Sequence, residues 1–240
     1  MAAAALYDGE NTDNLIARDV GCDHAKLAIF LVQSGICKYV YATDVNEGPL
    51  EKAKENIQRR TFKDKPLSDF ISVSLCDGLE SADSENLNRV FILGMGGEVI
   101  SGILQRAEFL KNEPNKGKVK LILQPMTSED KLREYLAYHG YNILDEEMVL
   151  DKGRVYAIIS VCYDGVKRDF TPAEILLGRA NIQKGGELFL RQLERRIRIL
   201  KTEIEQRKKA DLDCTEQEKL FCEMEKLNGQ KTQQINSFNS

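Results

Sequence analysis

Between Leu15 and about Cys162, short runs rich in β-branched and aromatic residues alternate with stretches whose apolar positions recur every three or four residues. Leu15-Ile16-Ala17, Lys38–Thr43, Phe70–Leu75, Val90–Leu93, Val119–Leu123, Tyr141–Leu144 and Val155–Val161 read as strands. The intervening pattern predicts helices over Lys26–Ser34 and over Gly48–Arg60, where Leu50, Ala53 and Ile57 share a face. A third passes through Val99, Ile100, Ile103 and Leu104, and a fourth covers Ser128–His139, closed by Gly140. Strands separated by helices of this length predict an α/β fold, a largely parallel, Rossmann-like sheet with helices on both faces.

After Asp164-Gly165 the period changes. Leu190, Leu193, Ile197, Leu200 and Ile204 are spaced alternately three and four apart, a heptad seam. A polar break at Asp211–Thr215 precedes a second apolar series, Leu220, Met224 and Leu227. Two helices around a short polar turn predict a C-terminal α-helical coiled-coil hairpin. The polar residues Gly229–Ser240 are expected to fray. The chain therefore divides into a sheet domain, residues 1–165, and a helical domain, 166–240.

Composition narrows the function classes. The whole chain carries a net charge of −4, which says nothing in favour of a polyanionic partner, but residues 166–240 hold 15 Lys and Arg against 12 Asp and Glu. Six scattered cysteines without a C-x-x-C pair fit a reducing cytoplasm and no zinc site. Met1–Leu6 is too short and lacks a basic flank for a secretion signal, and no apolar run approaches the roughly 20 residues of a membrane span.

Candidate chemistry sits where the strands end. Asp19-Val20-Gly21-Cys22-Asp23-His24-Ala25 joins the first strand to its helix, the place where a nucleotide-like cofactor is cradled. Asp23 occupies the position of the second glycine of G-x-G-x-x-G. A carboxylate repels a diphosphate but accepts an ammonium group, which points to S-adenosyl-L-methionine over NAD or ATP; alternatively Asp23 only caps the helix. Asp44, 23 positions past Gly21, stands where an acid receives ribose hydroxyls, or else caps the next helix. Asp77-Gly78 offers an acceptor for an adenine amino group and a tight turn, or is a plain Asp-Gly turn. Gly94-Met95-Gly96-Gly97 is costly in chain entropy unless something approaches closely, and Met95 supplies a soft face for a base. No Lys-Ser/Thr follows these glycines as a P-loop requires. Gln124-Pro125-Met126 closes the fifth strand, with Gln124 either directed into the same crevice or a solvated amide. Together these loops indicate a class I methyltransferase.

The D-V-G-C-D-H-A and G-M-G-G motifs, Gly48-Pro49 with Ala53 and Asn56, Leu121–Pro125, Leu132-Arg133 and His139-Gly140-Tyr141 resemble the bacterial tRNA (adenine(22)-N(1))-methyltransferases. The resemblance implies a class I S-adenosylmethionine fold followed by a small coiled-coil domain, and methylation of N1 of an adenine in the tRNA D-arm. It implies a cofactor set of Asp19, Gly21, Cys22, Asp23, His24, Asp44, Val45, Asp77, Gly78, Gly94 and Met95. Gly96, Gly97, Gln124 and Pro125 would face the base, with Asp23 fixing the cofactor amine. Neutral adenine N1 already has an in-plane lone pair, so orientation rather than a general base would dominate. The chain departs from the family pattern in the N-terminal helix, which looks absent or degenerate over Met1–Asp13, in Arg18 within a strand, and in Met126 after Gln-Pro. Lys184, Arg191, Arg195, Arg198 and Lys201 form a stripe beside the heptad seam, read either as tRNA contact or as a solvated face with Glu187–Arg191 and Glu194–Arg198 pairs. A methyltransferase with another acceptor, or a non-catalytic RNA-binding relative, are the competing readings.

Overall fold

The computed structural model describes residues 15–80, 82, 86–113 and 115–238, with side-chain surroundings as far as residue 234. The reading of the N-terminal helix as absent or degenerate falls on Met1–Asp13, outside the described residues. In chain order the elements are β1 (Ile16–Val20), α1 (Lys26–Gln33), β2 (Tyr39–Asp44), α2 (Glu47–Gln58), β3 (Thr61–Phe62), β4 (Lys65–Pro66) and β5 (Ile71–Leu75). Then follow β6 (Arg89–Gly96), α3 (Gly97–Arg106), β7 (Lys120–Thr127), α4 (Glu129–Tyr138), β8 (Tyr141–Asp151) and β9 (Arg154–Tyr163). The chain ends with α5 (Pro172–Leu177), α6 (Arg179–Lys184), α7 (Glu187–Lys209) and α8 (Thr215–Phe238).

Seven strands form one sheet in the order β5-β2-β1-β6-β7-β9-β8. The first five are parallel, and β9 runs antiparallel to β7. Strand interiors such as Ala17, Val40, Ala42, Val90, Ile92, Leu121 and Leu123 are fully buried, as befits central parallel strands covered on both faces. The chain leaves β1 for β2 and β5 on one side and returns to β6 on the other. That reversal opens a crevice at the carboxyl ends of β1 and β6, the usual ligand position in open α/β sheets.

Two compact units emerge. One comprises residues up to Asp145 with Ile158–Arg168; the other comprises Glu146–Ala157 with Asp169–Ser240. A single cut after residue 165 misses the tip of the β8–β9 hairpin, which groups with the helices. Both strands are much longer than their apolar cores suggest, because the two-residue turn Lys152-Gly153, with both φ values positive, keeps the polar ends of β8 and β9 in step.

In the second unit Phe189, Leu193, Ile197, Leu200 and Ile204 of α7 are buried around Met224 of α8, with Leu190, Leu220 and Leu227 at the margin. Lys208 pairs with Glu218 at 2.6 Å near the turn, and Lys231 donates to the Gln183 carbonyl at 3.3 Å near the other end, so α7 and α8 run antiparallel. Among the described residues the expected fraying from Gly229 onward is not seen: α8 continues to Phe238. Helices α5 and α6 add to the sequence reading. Thr171 and Glu174 form a reciprocal capping box with Pro172 in the first turn, a signal present in the sequence as Thr-Pro-Ala-Glu.

Arg18 is also accommodated. At 2% exposure it donates to the Glu80 carbonyl at 2.7 Å and approaches the Cys76 thiol at 3.7 Å, so its charge is held by polar atoms within the fold.

Candidate functional site

The turn after β1 is fixed by the next strand: the amides of Gly21 and Cys22 both donate to the Thr43 carbonyl, at 2.8 and 2.9 Å. Gly21 has φ +69°, and a Cβ there would collide with the Met95 methyl group. Helix α1 starts only at Lys26, with Ala25 as a left-handed N-cap and no side-chain cap. The capping role considered for Asp23 is therefore excluded; its carboxylate lies 3.3 Å from His24 Nε2 and is largely exposed. The backbone N–H of Asp23 points to Asp44, whose other oxygen accepts from the Asn46 amide at 3.0 Å and its side chain at 3.3 Å. Asp44 thus orients itself and does not cap α2, whose N-cap is Asn46.

Around this turn is a cavity of about 460 Å³. Its walls come from four strand ends and one helix: Val20 and Gly21; Asp44, Val45 and Asn46; Cys76, Asp77 and Gly78; Leu93, Gly94 and Met95; and the α3 residues Val99, Gly102, Ile103 and Arg106. Of the residues singled out in the sequence, Gly21, Asp44, Val45, Asp77, Gly78, Gly94 and Met95 meet here. Asp19, Cys22, Asp23, His24, Gly96, Gly97, Gln124 and Pro125 do not line it. Sequence reading missed the α3 wall. The signal was present as Val99, Gly102, Ile103 and Arg106 at helical spacing, one face of a helix whose other face, Ile100 and Leu104, is buried.

The glycine-rich segment is not a free loop. β6 runs on through Gly94 and Met95 to Gly96, with register shifts against β7 that mark a bulge. Gly97 opens α3 against the Ser128 carbonyl, so backbone rather than ligand accounts for the missing side chain there. β7 likewise continues through Gln124-Pro125 to Thr127. Gln124 accepts from the Gly94 amide at 3.1 Å and donates to the Pro125 carbonyl at 2.9 Å, which ties it to the bulge beside the cavity.

Electrostatics set the ligand class. Asp19 is buried, and burial pushes its carboxyl up to about 7; the Ala28 amide offsets this in part, and the Asp44 charge adds to it. One oxygen of Asp19 has no partner. Burial also pushes the Cys22 thiol up to about 12, with the charges of Asp19 and Asp44 acting the same way, so it is no nucleophile. Asp77 and Arg106 pair at 3.1 Å on the cavity wall, both about half exposed. A diphosphate would meet Asp44 and Asp77 with Arg106 as the single cationic side chain in the lining. A ligand with a cationic end, hydroxyl groups and an aromatic base fits the acids Asp44 and Asp77 and the apolar wall of Val45, Leu93, Met95, Val99 and Ile103. Among the described residues no cluster of His, Cys, Asp or Glu could hold a metal ion, and no helix is long and apolar enough to cross a membrane.

The basic stripe resolves into parts. Lys184 belongs to α6, where it donates to the Glu146 carbonyl at 2.8 Å and pairs with Glu147. Arg191 donates to the Gly153 carbonyl at 3.2 Å, so it is engaged by the hairpin turn. Arg191, Arg195 and Arg198 line a second cavity with Arg154, which the stripe did not include, whereas Lys201 lies outside it.

Comparisons with known proteins agree with this geometry. The tRNA (adenine(22)-N(1))-methyltransferase of Bacillus subtilis is 28% identical over 184 residues, covering 74% of this chain and 72% of that protein. A structure of a candidate tRNA (m1A22) methyltransferase of Streptococcus pneumoniae, in complex with S-adenosyl-L-methionine, is 26% identical with a TM-score of 0.73, covering 96% of each chain. TrmK of M. capricolum in complex with S-adenosyl-homocysteine is 25% identical with a TM-score of 0.66, covering 98% of this chain and 95% of that one. Residues 10–159, well over half of the sequence, match the family profile described as a methyltransferase domain, and the chain belongs to that family.

Proposed function

We propose that this chain is a tRNA (adenine(22)-N(1))-methyltransferase that uses S-adenosyl-L-methionine, as the Bacillus subtilis relative is named. The observation that carries the reading is the acid-lined, phosphate-hostile cavity at the β1–β6 reversal. When bound, S-adenosyl-L-methionine supplies an electrophilic methyl group on a sulfonium centre and leaves as a neutral thioether.

This chain's residues bind and orient. Asp44, held by Asn46 and the Asp23 amide, presents acceptor lone pairs for ribose hydroxyls. Asp77 offers an acceptor to the adenine amino group, and Met95 with Val99 packs the ring. Asp23, paired with His24 at the rim of the first turn, is the acid for the cationic amino-acid end, with Asp19 buried behind the turn adding its charge at longer range. Gln124, tied to Gly94 and Pro125, positions the target base beside Gly96. Adenine N1 needs no deprotonation, so the rate gain lies in alignment and in acids that tolerate a cationic product. The target lies within folded tRNA and must be unstacked to reach the pocket. The first unit serves the chemistry, and the second, residues 146–157 with 169–240, docks the RNA and is built on a short antiparallel coiled coil of α7 and α8. We place the protein in the cytoplasm, where its six free cysteines stay reduced.

The test is methyl transfer to a tRNA transcript and to the same transcript with adenine 22 replaced. Incorporation into the first and not the second is expected. Equal incorporation into both would assign another acceptor, and no heat on titration with S-adenosyl-L-methionine would assign a non-catalytic relative.

A further inference from the structure

Arg18 stands in the middle of β1, a central parallel strand on which an apolar side chain would serve packing equally well. Taking a guanidinium out of water is costly unless its N–H groups are bonded. What this side chain does that an apolar one does not is grip backbone outside its own strand. Its Nη1 donates to the Glu80 carbonyl at 2.7 Å and approaches the Cys76 thiol at 3.7 Å. That thiol donates to the same carbonyl at 3.2 Å, so three groups close on one point.

The segment held in this way is the turn that follows β5. Cys76 enters it with its amide on the Asp44 carbonyl at 2.9 Å, and Glu80 leaves it with its amide on the Asp77 carbonyl at 3.2 Å. Asp77 and Gly78, which line the cofactor cavity, lie between these fixed ends. A Cβ on Gly78 would overlap Ile103, so the turn also sits hard against α3. The pairing of Asp77 with Arg106 is half exposed, and such a pair does little to fix geometry. The direction of the Asp77 carboxylate is therefore set by the backbone beneath it, and Arg18 is what reaches that backbone from inside the sheet.

We infer that Arg18 is a positioning residue for cofactor recognition: by holding the Glu80 carbonyl it fixes the Cys76–Glu80 turn and aims Asp77 at the amino group of an adenine. The inference rests on the S-adenosyl-L-methionine reading above and names the buried group that makes the site selective for that base. A functional side chain needs such support, because a small misplacement loses the hydrogen bond.

The experiment compares S-adenosyl-L-homocysteine with its inosine counterpart, in which a carbonyl replaces the amino group of the base. Dissociation constants for both are measured by calorimetry on full-length wild type, Arg18→Met, Asp77→Ala and the double variant. Partial unfolding lowers the active fraction for both ligands alike and leaves their ratio unmoved. Wild type is expected to prefer the adenine form by at least about tenfold. Arg18→Met should cut that preference several-fold, with the loss falling on the adenine form. It should add nothing to the change in preference that Asp77→Ala causes by itself. Arg18→Lys, which keeps a cationic donor, should retain part of the preference. Should Arg18→Met fail to fold, Arg18→Gln takes its place, since its shorter amide stays polar but falls short of the Glu80 carbonyl. Equal weakening of both ligands would reduce Arg18 to a structural residue and overturn the inference, as would additive losses of preference in the double variant. Wild type that binds both forms equally would overturn the role of Asp77 and that of Arg18 with it. Wild type that binds neither would overturn the cofactor reading itself.

Discussion

A Cβ on Gly21 would fall on the methyl group of Met95: the turn after β1 and the bulge of β6 meet so closely that only hydrogen fits between them. Gly21 also has φ +69°, a left-handed conformation that costs an L-residue about 1–2 kcal/mol. Gly21→Ala should therefore lower the melting temperature. It should also push the flexible Met95 end into the cavity and weaken S-adenosyl-L-methionine by about tenfold or more, an energy of about 1.4 kcal/mol. Adding Met95→Ala should restore part of the affinity and none of the backbone cost. Calorimetry and thermal melts on the single and double variants separate the two contributions.

Asp19 makes the site sensitive to pH. Its carboxyl is held at about 7 in the fold, chiefly by burial, against an ordinary value of 3.8. Between these values the folded chain keeps a proton that the unfolded chain has lost, so stability falls as pH rises, by up to about 1.4 kcal/mol per pH unit, and levels off above about 7. Asp19→Asn should flatten this part of the stability–pH curve. A cationic ligand favours the ionised carboxylate, so wild-type affinity for S-adenosyl-L-methionine should climb through pH 7 and that of Asp19→Asn should not. Denaturation midpoints and titrations from pH 5 to 8 check both.

Asp77 and Arg106 isolate binding from folding. An exposed ion pair contributes about 0–1 kcal/mol, so Asp77→Ala should hardly change the melting temperature. A hydrogen bond to a charged acceptor is worth about 1.5–3 kcal/mol, so the same variant should weaken the cofactor by at least about tenfold. A large loss of stability with intact binding would place Asp77 in the fold and not in the site.

Much of this was legible in the chain because the signals are local. Four of the five parallel strands end in residues that line the cavity, and Gly21, Asp44, Asp77 and Gly94 were visible as turn residues after β-rich runs. What escaped was set by distant partners. The continuation of β6 and β7 through Gly96 and Thr127 depends on each strand completing the other, and neither segment has strong β propensity by itself. Arg154 joins Arg195 and Arg198 only because the hairpin turn is pinned to α7 by Arg191 and Gln192, contacts that span 37 and 38 residues. Arg18 read as misplaced because its partner, the Glu80 carbonyl, lies 62 residues away. The persistence of α8 past Gly229 follows from the same logic, since Lys231 is held at Gln183.

Glu146 and Gly178 carry the last prediction. Glu146 is fully buried, and its carboxylate accepts from the Ala180 amide at 3.3 Å at the start of α6 while its carbonyl accepts from Lys184. Gly178, at φ +87°, passes so near this carboxylate that a Cβ would overlap both oxygens and the carbon between them. Neither side can yield: moving the carboxylate would strip a buried charge of its partners, and moving Gly178 would break the junction of α5 and α6. Gly178→Ala should destabilise the helical unit by about 2–4 kcal/mol, the range of overpacking and backbone strain combined. Glu146→Gln, which keeps shape and removes charge, should cost less and should not relieve Gly178→Ala, because the collision is steric. Chemical denaturation of the two single variants and the double variant decides this, and recovery in the double variant would make the conflict electrostatic.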